Sequence, residues 1–256
     1  MANTAAFDIG SFVSSASLSD SSALSTPSGS ARDRAARTSL MRCAVELEGV
    51  ACDLPGRRLW ALGTIAAGSA TRSDRGSYEA ALAAFKSDEI CELSFAVLGA
   101  SAFLEARPHA ASTAFLHTHA ALLAQLVAAD RRPDWAWFEI VLACDHCRLS
   151  EALIRAGLAA GEQDWTDAGL DTLSWSLERR ARRASRVPTA TESWALVDAC
   201  AAAFAVTGAK QWRSRAQAAL QGFQGTTAAQ HPQAYALAML SVSAFPSNRA
   251  WDLAAA

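Results

Sequence analysis

Residues 134–153 bring together the side chains in this sequence best suited to chemistry: two tryptophans (Trp135, Trp137), two acids (Glu139, Asp145) and one arginine (Arg148). Glu139 lies inside the apolar run 137–142, where an unpaired carboxylate would be costly to bury. Asp145 has the short oxygen-bearing side chain that caps a helix, and Arg148, three residues on, can pair with either acid. Two readings follow. In one, the acids and the arginine form a capping and ion-pair network that fixes a tight corner. In the other they floor a polar pocket walled by Trp135 and Trp137, an arrangement suited to a sugar ring. If the pocket cleaves a glycosidic bond, two carboxylates must flank it, about 5 Å apart for retention or about 6.5–9.5 Å for inversion. Glu139 and Asp145 are the catalytic candidates. Trp135, Trp137, Arg148, Glu192 and Asp198 are the candidates for holding substrate.

Other chemistry is poorly supported. Cys144 and Cys147 share a helix face, but a structural zinc needs two further ligands and no second pair stands at metal spacing. A redox role for a C-x-x-C wants a βαβ context, and no period-2 strand is visible. His117 and His119 are about 200° apart on a helix and cannot chelate together; His119, on an apolar stripe, reads as a satisfied core histidine. The arginine run at 179–186 suits a helix C-terminus, where positive charge complements the helix dipole, or it could hold a phosphate or acidic sugar. No phosphate loop, dinucleotide fingerprint or nucleophile elbow occurs, and no cofactor is implied.

The pattern W-A-W-F-E-x-x-L-x-x-D-x-x-R-L-x-x-A-L, at 135–153, resembles the helical region found C-terminal to some group 1 glycosyltransferases. There it usually reads W-x-W-F-E-x-x-L-x-Y-D-N-A-R-L-P-x-A-L. Leu59-Trp60-Ala61-Leu62-Gly63, and Glu192 with Val197-Asp198-Ala199-Cys200, agree in order. The resemblance covers roughly 57–224 and implies an α/α toroid of the six-hairpin glycosidase shape around a central polar cavity. The sequence also departs from the family. Its Tyr-Asp-Asn-Ala stands here as Cys144-Asp145-His146-Cys147 and its proline as Ser150. Its Phe-Asp-Gln-Gln-Pro segment is missing, with 187–191 near that place, and its late acid is absent from the stretch at 231–235. The resemblance therefore implies a degenerate member, weakly active or inactive, that binds a saccharide or a glycosyltransferase partner in glycan biosynthesis. A carbohydrate-processing enzyme, hydrolase or epimerase-like, is the second reading. An interaction scaffold without ligand is the third.

The elements that must position these residues are helices throughout. Leu149, Ala152, Leu153 and Ala156 follow the i, i+3, i+4, i+7 rule, and Gly157 and Gly161 mark an end. Residues 163–178 form the partner helix of an αα-hairpin. Glu151 and Arg155, four apart, read as a solvated pair worth about 0.3–0.5 kcal/mol. Residues 53–56 read as a turn, 59–67 as a short helix and 68–76 as a polar loop. Further stripes occur at Tyr78/Leu82/Phe85, Leu93/Val97/Ala100/Leu104, Phe115/His119/Leu122/Leu126 and Trp194/Val197/Ala201/Phe204. About nine or ten helices in successive antiparallel pairs result, fewer than the twelve of a full six-hairpin ring, so the toroid would be incomplete.

The fold class expected is all-α, a single helical toroid domain over 36–256 behind a Ser/Ala-rich disordered tail over 1–35. A net charge of −2 gives no pull toward nucleic acid or an anionic membrane. No apolar run reaches the about 20 residues of a membrane span. Six cysteines without a compact framework read as reduced thiols in a cytoplasm. The tail lacks the apolar residues to offset its ordering entropy. Deleting residues 1–35 should leave the thermal midpoint within a degree or two, which differential scanning calorimetry would check.

Overall fold

The computed structural model describes residues 54–129, 146–182 and 189–221. Among these are eight α-helices and no strand: α1 (Pro55–Gly68), α2 (Arg72–Ala84), α3 (Ile90–Ala106), α4 (Ala110–Ala129), α5 (His146–Ala160), α6 (Gln163–Arg182), α7 (Ala190–Thr207) and α8 (Lys210–Gln221). The all-α expectation holds. None of these helices is long and apolar enough to cross a membrane.

The helices alternate between two layers. α1 packs on α3, α3 on α5 and α5 on α7, while α2, α4, α6 and α8 pack outside them. The inner helices are buried around most of their circumference. In α3 every residue from Glu92 to Ser101 is buried, not only the stripe at Leu93, Val97 and Ala100. α2 buries only Tyr78 and Leu82, and α8 only Trp212 and Ala216, as expected of helices with one face to solvent.

α1 and α3 are parallel. Gly56 lies against Glu92 and Gly63 against Gly99, the same offset at both points. A Cβ at Gly99 would stand 2.5 Å from the Leu59 carbonyl oxygen, so only glycine admits this approach. α3 also caps both ends of its neighbour. The first turn of α1 has no side-chain cap of its own, and the buried Glu92 carboxylate accepts from Gly56 N at 2.6 Å. Arg107 donates to the carbonyls of Ala66 (3.2 Å) and Ser69 (2.9 Å) at the other end. An acid at the N-terminus and a cation at the C-terminus both match the helix dipole.

α5 and α6 form the expected antiparallel hairpin. Gly157 lies against Glu162 and Thr166, and Gly169 against Ser150 and Ile154. Gly157 does not end α5; it is a point of helix contact, and Gly161, at φ 75°, makes the turn. Two other boundaries differ from expectation. Pro55 opens α1 at its first position, where a missing N–H costs nothing, so 55–56 are helix and not turn. Within 68–76, Thr71 accepts from Asp74 N and starts α2 at Arg72. Cys91 is disulfide-bonded, against the expectation of reduced thiols, while Cys147 and Cys200 are buried in the core. Spacing along a chain does not report which thiols meet in space.

Two apolar clusters make the core. One gathers side chains of α1 to α5, the other of α1 and α5 to α8, and Trp60 packs against both. Gly99→Ala should lower the unfolding free energy by about 1–3 kcal/mol through overpacking. Gly76→Ala, in α2 with nothing near its would-be Cβ, should raise it by up to about 1 kcal/mol. Urea denaturation of the two variants checks both signs.

Candidate functional site

Three inner helices converge on one guanidinium. Arg148, in the first turn of α5, is 2% exposed, which is exceptional for an arginine. Its Nη1 donates to Glu151 Oε2 at 2.6 Å and to Asp198 Oδ2, on α7, at 2.8 Å. Its Cζ lies 4.7 Å from the ring centroid of Trp60 on α1 and 4.5 Å from that of Trp194 on α7. The two indoles meet each other at 5.4 Å, and Trp60 meets Phe95 of α3 at 5.3 Å.

The ion cluster continues outward. Glu151 Oε1 accepts from Arg155 Nε at 2.8 Å, and Arg155 Nη1 reaches Glu105 of α3 at 3.3 Å. Asp198, Arg148, Glu151, Arg155 and Glu105 thus alternate in sign from the interior, where Asp198 is 1% exposed, to the surface, where the Glu105 side chain is 45% exposed. Burial alone would lower the pKa of Arg148. The opposing charge of Glu151, then that of Asp198, outweighs it and holds the guanidinium above its usual range. Arg155 is raised in the same way, burial being outweighed by Glu151 and then Glu105. A buried guanidinium is tolerable when it is paired and hydrogen-bonded, and two desolvated ring faces add roughly 2 kcal/mol each.

This geometry bears directly on catalysis. A glycosidase acid must hold a proton and a base must be free to take one, with substrate between them. Asp198 and Glu151 instead accept from the same nitrogen of a cation that occupies the space between them. The arrangement is suited to pairing charges and to fixing three helices.

Spacing along the chain pairs Arg148 with Glu139 or Asp145. Both lie outside the described residues, as do Trp135 and Trp137. The described carboxylates that hold Arg148 are Glu151 and Asp198. Of the substrate-holding candidates, Arg148 and Asp198 are brought together. Glu192 stands apart at the start of α7. There its side chain accepts from Thr189 N at 2.7 Å while Thr189 Oγ1 accepts from Glu192 N at 3.2 Å, a capping box. Glu151 with Arg155 is not a solvated pair: the Glu151 side chain is 5% exposed.

Glu151, Trp60 and Trp194 complete the cluster without having been nominated. Arg148, Glu151 and Arg155 share one face of α5 at i, i+3 and i+7, a spacing that in the sequence reads as a solvated stripe. His119 is satisfied but only half-buried, not in the core: its Nδ1 donates to the Phe115 carbonyl at 3.0 Å. Cys147 is packed in the second apolar cluster, and no group of three or more metal-capable side chains occurs among the described residues.

Comparison with known proteins finds no matching family model, no matching curated protein and no matching solved structure.

Arg148→Ala removes the cation shared by two buried carboxylates and should cost about 3–5 kcal/mol in urea unfolding. Arg148→Lys should recover only part of this, since an ammonium lacks the planar fork and stacks poorly.

Proposed function

We propose that this chain is a carbohydrate-related helical protein, a weakly active or inactive accessory of glycan biosynthesis that binds a saccharide or a glycosyltransferase partner. One observation carries the reading. Trp60, Arg148 and Asp198 come from the three separate stretches that resemble the helical region of group 1 glycosyltransferases, and they meet at a single point. Residues far apart in a chain that share one contact are what a common ancestral core would leave. The alternation of inner and outer helices among the described residues supports an α/α toroid. Parallel inner neighbours α1 and α3, with α2 crossing outside, support it as well.

The same contact engages Asp198, one of the substrate-holding candidates, with Arg148. Saccharide binding is assigned to the segment directly before α5, with Trp135 and Trp137 as ring faces and Glu139 and Asp145 as acceptors. A scaffold without ligand is the second reading, favoured by the filling of the inner helices' meeting point with Trp60, Trp194 and Arg148.

Tryptophan fluorescence titrated with oligosaccharides and sugar nucleotides, beside hydrolysis and phosphorolysis assays on the same compounds, separates the readings. The expected result is a saturable change without robust turnover. Turnover abolished by Glu139→Gln or Asp145→Asn would establish the enzyme instead, and silence toward every sugar would leave the scaffold.

A further inference from the structure

α4 begins with an unusual cap. The residue before its first turn is His109, and its Nδ1 accepts from the backbone N–H of Ser112 at 3.2 Å, the role normally given to a serine, threonine, aspartate or asparagine oxygen. Ser112 Oγ lies 2.8 Å from the same nitrogen, and the Tyr78 hydroxyl of α2 lies 2.6 Å from Ser112 Oγ. Ser112 and Tyr78 are fully buried, and the His109 side chain is 23% exposed.

The tautomer follows from the partners. A backbone N–H can only donate, so Nδ1 carries no proton and the ring hydrogen is on Nε2, which lies 3.7 Å from Glu79 Oε1. Ser112 then donates to Nδ1 and Tyr78 donates to Ser112. Burial pushes the Tyr78 pKa up to about 12, so it stays a hydroxyl throughout the neutral range.

We propose that His109 is a proton-released cap: neutral imidazole closes the first turn of α4, and protonation opens it. A proton on Nδ1 turns the acceptor into a donor that faces the Ser112 N–H. The Ser112 hydroxyl can reverse and accept from it, passing its own hydrogen toward Tyr78, but the backbone amide cannot reverse. The imidazolium also stands at the positive end of the helix dipole.

The charged groups around it do not cancel these effects. Glu79 of α2 attracts the cation, but its side chain is 44% exposed and solvent screens the pair. Arg107 of α3 carries like charge, over the Phe103 ring that meets His109 edge-on at 5.2 Å. His109 and Glu79 form the polar end of an open groove of about 520 Å³ whose apolar wall includes Leu82, Ala114 and Phe115. Opening the first turn would therefore reshape that wall. Neither a saccharide nor the Arg148 cluster enters this inference.

The test is residue-resolved NMR on the full chain. At about pH 8 the His109 ring should show the Nε2–H tautomer. On acidification to about pH 5, the exchange protection of the Ser112 amide, corrected for intrinsic rates, should fall about fivefold or more. The amide of Ala120, in the middle of α4, serves as the reference. His109→Asn keeps an accepting side chain that does not titrate, and its Ser112 protection should be flat over the same range. An Nδ1–H tautomer at the higher pH, wild-type protection that does not change, or a parallel fall in the asparagine variant would each overturn the proposal.

Discussion

An arginine with 2% of its surface exposed is the constraint from which the rest of the described structure can be reasoned. Removing a guanidinium from water is among the larger penalties a fold can carry, and here it is met by two carboxylates and two indole faces. Those four groups come from α1, α5 and α7, so satisfying the charge fixes the mutual placement of three inner helices. Trp60 transmits the constraint. It belongs to both apolar clusters, and its ring touches Phe95, Trp194 and Arg148.

Close approach of the inner helices is what lets so few side chains reach so far. Glycine at 56, 63 and 99 brings α1 and α3 together until backbone meets backbone. Glu92 and Arg107 of α3 then terminate both ends of α1, whose N-cap residue is Leu54, without a capping side chain. α2 and α7 need no such help. Thr71 and Thr189 supply ordinary N-caps, and Gly208 at φ 64° closes α7. The caps therefore divide by source and not by layer: inner α1 depends on a neighbour, whereas outer α2 and inner α7 carry caps in their own sequence.

That division also explains how much the sequence revealed. Helical period and the α5–α6 hairpin could be read directly, because each rests on residues close together in the chain. Gly56, Gly63, Gly99 and Gly157 were harder: in a sequence glycine reads as a breaker, and only the facing helix shows that it is a contact. The partners of Arg148 were harder again. Asp198 is fifty residues away, and Glu151 looked solvated because a charge at helical spacing usually is. Trp60 on α1 and Asp198 on α7 reach Arg148 only through the packing of the inner helices, which no local spacing reports.

An ion cluster that balances itself while filling the space between its own acids is a structural device, whatever binds elsewhere on the chain. A double-mutant cycle with Arg148→Met and Asp198→Leu addresses this directly, by comparing the unfolding free energies of both single variants, the double variant and the wild type. If charge matching holds the inner helices, the two substitutions should couple by about 2–3 kcal/mol, the double variant being far less damaged than the sum of the singles. Additivity within about 0.5 kcal/mol would contradict the account, because neither charge would then depend on the other.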